Sequence, residues 1–143
     1  MPYMTMDTDT RTDHVNGESK DSVTADASNR QAWDAIADWW EHKQTEDGDD
    51  GNDMFTQCLL PQVEQLCEWQ PGQTILDLGA GSGIICRMFA RKGADQVTGL
   101  DYSPPMLDKA RSRTSREGLT VTYDLINLLD LADMEAYAKS HPG

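Results

Sequence analysis

The stretch "TILDLGAGSGIICRMFA", residues 74–90, begins as a short apolar run, breaks at three glycines and resumes with apolar residues at helical spacing. A strand that turns tightly into a helix needs left-handed backbone and close backbone approach, which glycine supplies without steric cost. The carboxyl end of such a strand is where open α/β sheets hold their ligands. The glycines fall at 79, 81 and 83, a G-x-G-x-G pattern, whereas the dinucleotide fingerprint G-x-G-x-x-G would place its third glycine at position 84, which is Ile84. Asp77 stands just before the turn. A carboxylate there opposes a pyrophosphate and favours a ligand that carries an ammonium group.

Downstream of this turn, strand and helix patterns alternate. Residues 75–78 read as a buried strand, 83–92 as a helix, 96–100 as a second strand and 104 or 105 to 116 as a second helix. A third strand over 120–125 and a third helix over 128–140 complete the series. Repeated strand–helix units imply right-handed crossovers and a parallel sheet covered on both faces. The fold class is therefore α/β, a Rossmann-like doubly wound parallel sheet that stops after its third strand and helix. The second strand ends in "VTGLD", which delivers Asp101, a carboxylate able to accept hydrogen bonds from both hydroxyls of a ribose. A glycine turn with a ribose acid indicates a nucleoside ligand, and Asp77 favours one without phosphates.

Upstream, two helices precede the sheet. Ala32, Trp33, Ile36, Trp39 and Trp40 recur at helical spacing, with Ser28 placed as an N-cap and Gln31 placed to close a capping box, so a helix is expected from Ser28 to about His42. Its tryptophans either pack on a neighbouring surface or form a lid over a ligand site. A second helix is expected over 54–68, with Leu59, Leu60, Val63, Leu66 and Cys67 on one side and Pro61 starting or kinking its regular part. "QPGQ", residues 70–73, reads as a turn. Between the helices, "QTEDGDDGND" (44–53) has carboxylates and glycines in the manner of a calcium loop. Asp47 and Asp49 fit that grammar, but position five is Gly51, and a solvated linker is the expectation. Residues 1–26 are mostly Thr, Asp, Ser and Asn, and an acidic disordered tail is expected there. One domain then covers 27–143, with N-terminal helices over 27–68 and a partial cofactor-binding half over 73–143.

Length and charge limit the functions available. At 143 residues the chain suits one core. Its net charge is −13, with 14 Asp/Glu against 4 Lys/Arg up to residue 56 and 11 against 8 beyond it. Such a surface repels phosphate backbones and anionic lipid, which argues against nucleic-acid or membrane-surface partners. The start, "MPYMTMDTDTRTDHVNG", carries acids where a signal peptide needs basic and apolar segments, and no apolar run approaches membrane-spanning length. Cys58, Cys67 and Cys86 are odd in number and lack short paired spacing, and His14, His42 and His141 are scattered, so no metal site is expected. Three free thiols suit a reducing compartment, and a cytoplasmic location is expected.

"ILDLGAGSG", "VTGLDYSPPMLDKAR" and "LTVTYDLINLLDL" together resemble the class I S-adenosylmethionine-dependent methyltransferases, in their glycine-rich first motif, acidic second motif and the loop after strand three. The resemblance runs from about Trp33 to the C-terminus. It implies that Asp77, Gly79, Ala80 and Gly81 approach the methionine part of S-adenosyl-L-methionine, that Asp101 binds the ribose, and that Tyr102 and Met106 flank the adenine. For Tyr102 and Met106, ordinary packing at a helix start is the competing reading. Asn127 stands where the family usually carries an acid that meets the adenine amino group, and an amide carbonyl can still accept that bond.

The resemblance further implies a methyl transfer, in which a substrate nucleophile attacks the sulfonium methyl group of the donor, with a small molecule as the acceptor. It identifies no catalytic base, and His42 or Asp53 would be guesses. The family's fourth strand would follow after "AKSHPG". Its sheet order leaves strand one as an unpaired edge, through which self-association is expected, and the chain reads as the cofactor-binding half of an enzyme. The alternative is a non-catalytic cofactor-binding or interaction fragment of the same ancestry. A nicotinamide-cofactor domain is disfavoured by Ile84 and Asp77.

Overall fold

Three parallel strands arise where the apolar runs meet their glycine turns. In the computed structural model, which describes residues 20–43 and 54–141, β1 (Thr74–Leu78), β2 (Gln96–Asp101) and β3 (Thr122–Leu125) form one sheet in the order β1-β2-β3. Asp77 is level with Gly99 in the first pair, and Gly99 with Tyr123 in the second. The turn that leads into β1 has Gly72 at φ 86, following Pro71, and the Gln73 N–H donates to the Gln70 carbonyl at 3.3 Å. Left-handed glycine after proline is the type II arrangement.

The crossover helices are α3 (Ile84–Arg91) and α4 (Pro104–Arg116), and α5 (Leu131–Ser140) follows β3. Side chains alternate between the faces of a strand, and this sets where the helices lie. Tyr123 points toward α4, where its hydroxyl and the Thr114 hydroxyl share a 2.9 Å hydrogen bond. The next residue, Asp124, turns to the opposite face and accepts from the Tyr137 hydroxyl of α5 at 3.4 Å. The core lies between the sheet and α3 and α4, built from Cys86, Phe89, Val97, Leu107, Ala110 and Tyr123. Phe89 and Leu107 are almost fully buried, and such burial contributes about 1.5–3 kcal/mol per side chain.

On the other face of β1, Leu76 and Leu78 remain 54% and 56% exposed, and among the described strands β1 pairs only with β2. Among the described strands β1 is thus one edge of the sheet and β3 the other. No described helix is long and apolar enough to cross a membrane.

Several expected boundaries shift. Helix α1 spans Lys20–Lys43, so Ser28 and Gln31 lie inside it and not at a cap, and Lys20–Asp26 is helical where disorder was expected. Extending an existing helix costs far less than starting one, and Ala25 and Ala27 favour continuation. Before Pro61 the chain forms a π-turn, Phe55–Leu59, followed by α2 (Leu60–Leu66). A proline ring clashes with the carbonyl four residues back, and the wider turn relieves that clash. Of the expected apolar side, Leu60 and Val63 reach the core, while Leu59, in the π-turn, and Leu66 and Cys67, where α2 ends, are exposed. β3 begins at Thr122 and α5 at Leu131, because Asp130 caps α5 by accepting from the Ala132 and Asp133 N–H groups. The linker 44–53 and residues 1–19 lie outside the described residues.

Candidate functional site

The turn after β1 is built on backbone. The Gly79 and Ala80 N–H groups both donate to the Leu100 carbonyl, at 2.8 and 2.9 Å, which ties the turn to the end of β2. Gly79 (φ 82) and Gly81 (φ 53) are left-handed, and a Cβ at either would meet nothing within 4 Å. What stands beside them is open space, which a ligand can approach at backbone distance.

Asp101 closes one side of this space. Its Oδ2 accepts from the Gly81 N–H at 2.8 Å and its Oδ1 from the Ser103 N–H at 2.9 Å. Each bond to backbone fixes the carboxylate in place. A carboxylate has about four acceptor positions, so two remain for a ligand.

These residues border a cavity of about 320 Å³, a volume suited to one small molecule. Gly79, Gly81, Asp101, Tyr102, Met106 and Asn127 all line it, so six of the eight site residues expected from sequence come together. Asp77 and Ala80 do not line it. Ala80 is 7% exposed, packed beneath the turn against Gly99. Asp77 points under the turn toward α3, where Cys86 Sγ donates to its Oδ2 at 3.2 Å. Burial pushes the Asp77 carboxyl above the usual aspartate range, and the negative charge of Asp101 adds to this against the thiol hydrogen bond. Burial, with the Asp77 charge beside it, likewise raises the Cys86 thiol, which stays protonated as a donor. Asn127 Oδ1 accepts from the Leu129 N–H at 3.0 Å and so holds its own loop.

The remaining wall comes from α1 and the loop after β3. Asn29, Trp33 and Trp40 face the cavity from α1, and Leu128 and Leu129 from the loop. The indoles of Trp33 and Trp40 meet edge to face with centroids 6.1 Å apart. Two polar contacts seat α1 on α4: the Ser103 hydroxyl donates to Asp34 at 2.5 Å, and Lys109 pairs with Asp38 at 2.7 Å. The helical spacing of the tryptophans was the sequence signal for this wall. Asn29, Leu128 and Leu129 carried none. Among the described residues no basic side chain lines the cavity, and no group of three His, Cys, Asp or Glu side chains converges as a metal site. Of the two guesses for a base, Asp53 and the His42 side chain lie outside the described residues.

The donor set can be tested against candidate ligands. Among the described residues a pyrophosphate would find no lining cation, whereas the ribose and amino-acid tail of an adenosyl sulfonium compound would find the Asp101 carboxylate, amides and aromatic faces. The residues fit the second.

A family model described as "Methyltransferase domain" matches residues 75–139. The chain is 45% identical over 75 residues to the ribosomal protein L11 methyltransferase of Burkholderia mallei (strain NCTC 10229), a match that covers 52% of this chain and 24% of the relative. The same-named protein of Paraburkholderia xenovorans (strain LB400) is 43% identical over the same shares. The chain thus matches about a quarter of the length of these curated relatives. Among solved structures, the [4+2]-cyclase SpnF superposes with a TM-score of 0.57 at 22% identity, over 71% of this chain and 42% of the cyclase, a likeness of fold. Residues 75–139, with their glycine turn and ribose-type acid, are thus similar to the class I S-adenosylmethionine-dependent methyltransferases, whose shared cofactor is S-adenosylmethionine.

Proposed function

We propose that the cavity between the glycine turn and α1 binds S-adenosylmethionine as a methyl donor. The observation that carries this reading is the carboxylate of Asp101, pinned by the Gly81 and Ser103 N–H groups at the mouth of an open glycine turn, in a cavity that no basic side chain lines among the described residues. Asp101 accepts from the ribose hydroxyls with its remaining lone pairs, and the bare backbone at Gly79 and Gly81 admits the methionine part. Tyr102 and Met106 flank the adenine, and Asn127 offers the second lone pair of its carbonyl to the adenine amino group. Trp33 and Trp40 exclude water from one side. When bound, the donor supplies a methyl group already activated on a sulfonium, so the protein's part is orientation and exclusion of water.

Asp77 and Ala80 support the turn from beneath, and we assign the Asp77 carboxylate to the donor's ammonium group. This gives a test with two readouts. A raised carboxyl in the folded state means that its stabilising contribution is complete below the unfolded pKa and is lost as pH rises through the folded one. At pH 7 the Asp77 charge therefore destabilises the fold. Asp77→Asn, whose amide oxygen can still accept from Cys86, is expected to raise the thermal midpoint at pH 7, with the gain fading below about pH 4. The same variant should bind S-adenosylhomocysteine roughly tenfold or more weakly, the scale of a lost hydrogen bond to a charged group. Unchanged affinity in calorimetry would detach Asp77 from the donor.

For the acceptor we propose a small molecule, because the net charge of −13 disfavours nucleic acid and the Trp33–Trp40 wall narrows the approach. A protein acceptor is the second reading, favoured by 45% identity to enzymes named for ribosomal protein L11. That overlap covers 75 residues in the cofactor-binding region, so it bears on the donor more than on the acceptor. The exposed Leu76 and Leu78 on edge strand β1 support self-association of this chain. The three free cysteines support a reducing, cytoplasmic setting.

A further inference from the structure

Arg87 lies on the buried side of α3 with its side chain fully inaccessible to solvent. Burying a guanidinium is costly unless its charge and its donors are satisfied, and an apolar residue of similar size would fill the space without that cost. Arg87 is satisfied at both ends. Its Nη1 donates to the Ser82 carbonyl at 2.6 Å, and its Nε pairs with Glu117 Oε1 at 3.3 Å at the end of α4. Glu117 also receives Nε and Nη2 of Arg91, at 2.9 and 2.6 Å, so the carboxylate is itself held.

The Ser82 carbonyl belongs to the peptide that joins Ser82 to Gly83, the last link of the glycine turn. The N–H of that same peptide, on Gly83, donates to the Ala80 carbonyl at 2.8 Å. Both polar groups of one peptide plane are thus held, the oxygen by Arg87 and the N–H by the turn itself. One residue upstream, the Gly81 N–H is the group that fixes Asp101. Loss of the Arg87 bond would remove one of the two contacts that hold this peptide plane, and a turn that settled differently would present the Gly81 N–H differently to Asp101.

We propose that Arg87 is a positioning residue for the donor site: from within the core it sets the glycine turn, and through the turn the Asp101 carboxylate, with Glu117 balancing its charge. The inference rests on the donor reading given above for its effect on affinity, and on the turn geometry alone for its effect on backbone.

The test compares the whole chain with its Arg87→Met, Arg87→Lys and Leu60→Ala variants. Leu60 is a core residue that lines a surface pocket with Met88, Arg91 and Lys92 and serves as a control for lost stability. Three quantities are read: the thermal midpoint, the amide resonances of Gly79, Gly81 and Gly83 without ligand, and the calorimetric affinity for S-adenosylhomocysteine. Arg87→Met should move the Gly81 and Gly83 amides and weaken binding at least tenfold. Arg87→Lys, with one compact donor group in place of a fork, should fall between it and the unaltered chain. Leu60→Ala should lower the midpoint while leaving the glycine amides and the affinity unchanged. If Arg87→Met fails to fold, the lysine variant decides. Glycine amides and affinity in Arg87→Lys equal to those of the unaltered chain would overturn the proposal, as would a folded Arg87→Met that behaves like Leu60→Ala. An unaltered chain that binds no S-adenosylhomocysteine would instead overturn the donor reading, and the amide shifts would still decide whether Arg87 sets the turn.

Discussion

Gly83→Ala is expected to destabilise the chain by about 2–5 kcal/mol. A Cβ at this position would lie 2.3 Å from the Tyr123 hydroxyl oxygen, 2.9 Å from the ring carbon that bears it and 3.1 Å from the Ala110 Cβ. The tyrosine has little room to withdraw. Its hydroxyl is bonded to Thr114, its flank meets Gly99 so closely that a Cβ there would be 2.9 Å away, and burial with loss of solvent pushes its pKa up to about 12. Overpacking of this kind costs roughly 1–3 kcal/mol. Gly83 also has φ 80, a left-handed conformation that costs an alanine about 1–2 kcal/mol more. Since whole domains are stable by about 5–15 kcal/mol, the change removes a large part of the total. Gly93→Ala separates the two contributions, because Gly93 has φ 90 but nothing within 4 Å of an added Cβ, so it should lose only the backbone part. Urea unfolding measures both. A Gly83→Ala variant as stable as Gly93→Ala would mean that Tyr123 is free to move and that the packing beneath the turn yields to a Cβ.

Asp101→Ala is expected to weaken donor binding by about 1.5–3 kcal/mol, roughly 10- to 150-fold, the scale of losing hydrogen bonds to a charged group. The loss has two sources. The ribose hydroxyls lose their acceptor, and the Gly81 and Ser103 N–H groups lose the carboxylate that ties the turn to the start of α4. Asparagine restores only one of these backbone bonds, since its amide nitrogen would face an N–H donor at the other. Asp101→Asn should therefore bind S-adenosylhomocysteine better than the alanine variant but well short of the unaltered chain. A folded alanine variant with unchanged affinity would reduce Asp101 to a structural role.

The strands and α3 and α4 were legible because glycine and proline mark their ends and apolar periodicity marks their middles; the end of β1 at Gly79 and the start of α4 at Pro104 follow directly. The early start of α1 was not. Lys20–Asp26 is polar in composition, and its helicity comes from continuation of the turns that follow it. Periodicity showed that Trp33 and Trp40 share a face, but what a face covers depends on contacts distant in sequence, here Asp34 with Ser103 and Asp38 with Lys109. Asp101 was recognisable as a ribose acid by its place after β2, whereas its two backbone bonds depend on how the turn folds back over it. Arg87 gave no signal at all. An arginine within an amphipathic helix is expected at the surface, and the partners that allow its burial include a backbone carbonyl and the glutamate that caps another helix.

Calorimetric titration of the chain with S-adenosylmethionine and, separately, with NAD tests the central claim most directly. An open glycine turn, a pinned ribose acid and a cavity without basic lining among the described residues predict saturable one-site binding of S-adenosylmethionine and much weaker or no binding of NAD. Tighter binding of NAD would contradict the donor assignment, because it would require the site to hold a pyrophosphate beside Asp101.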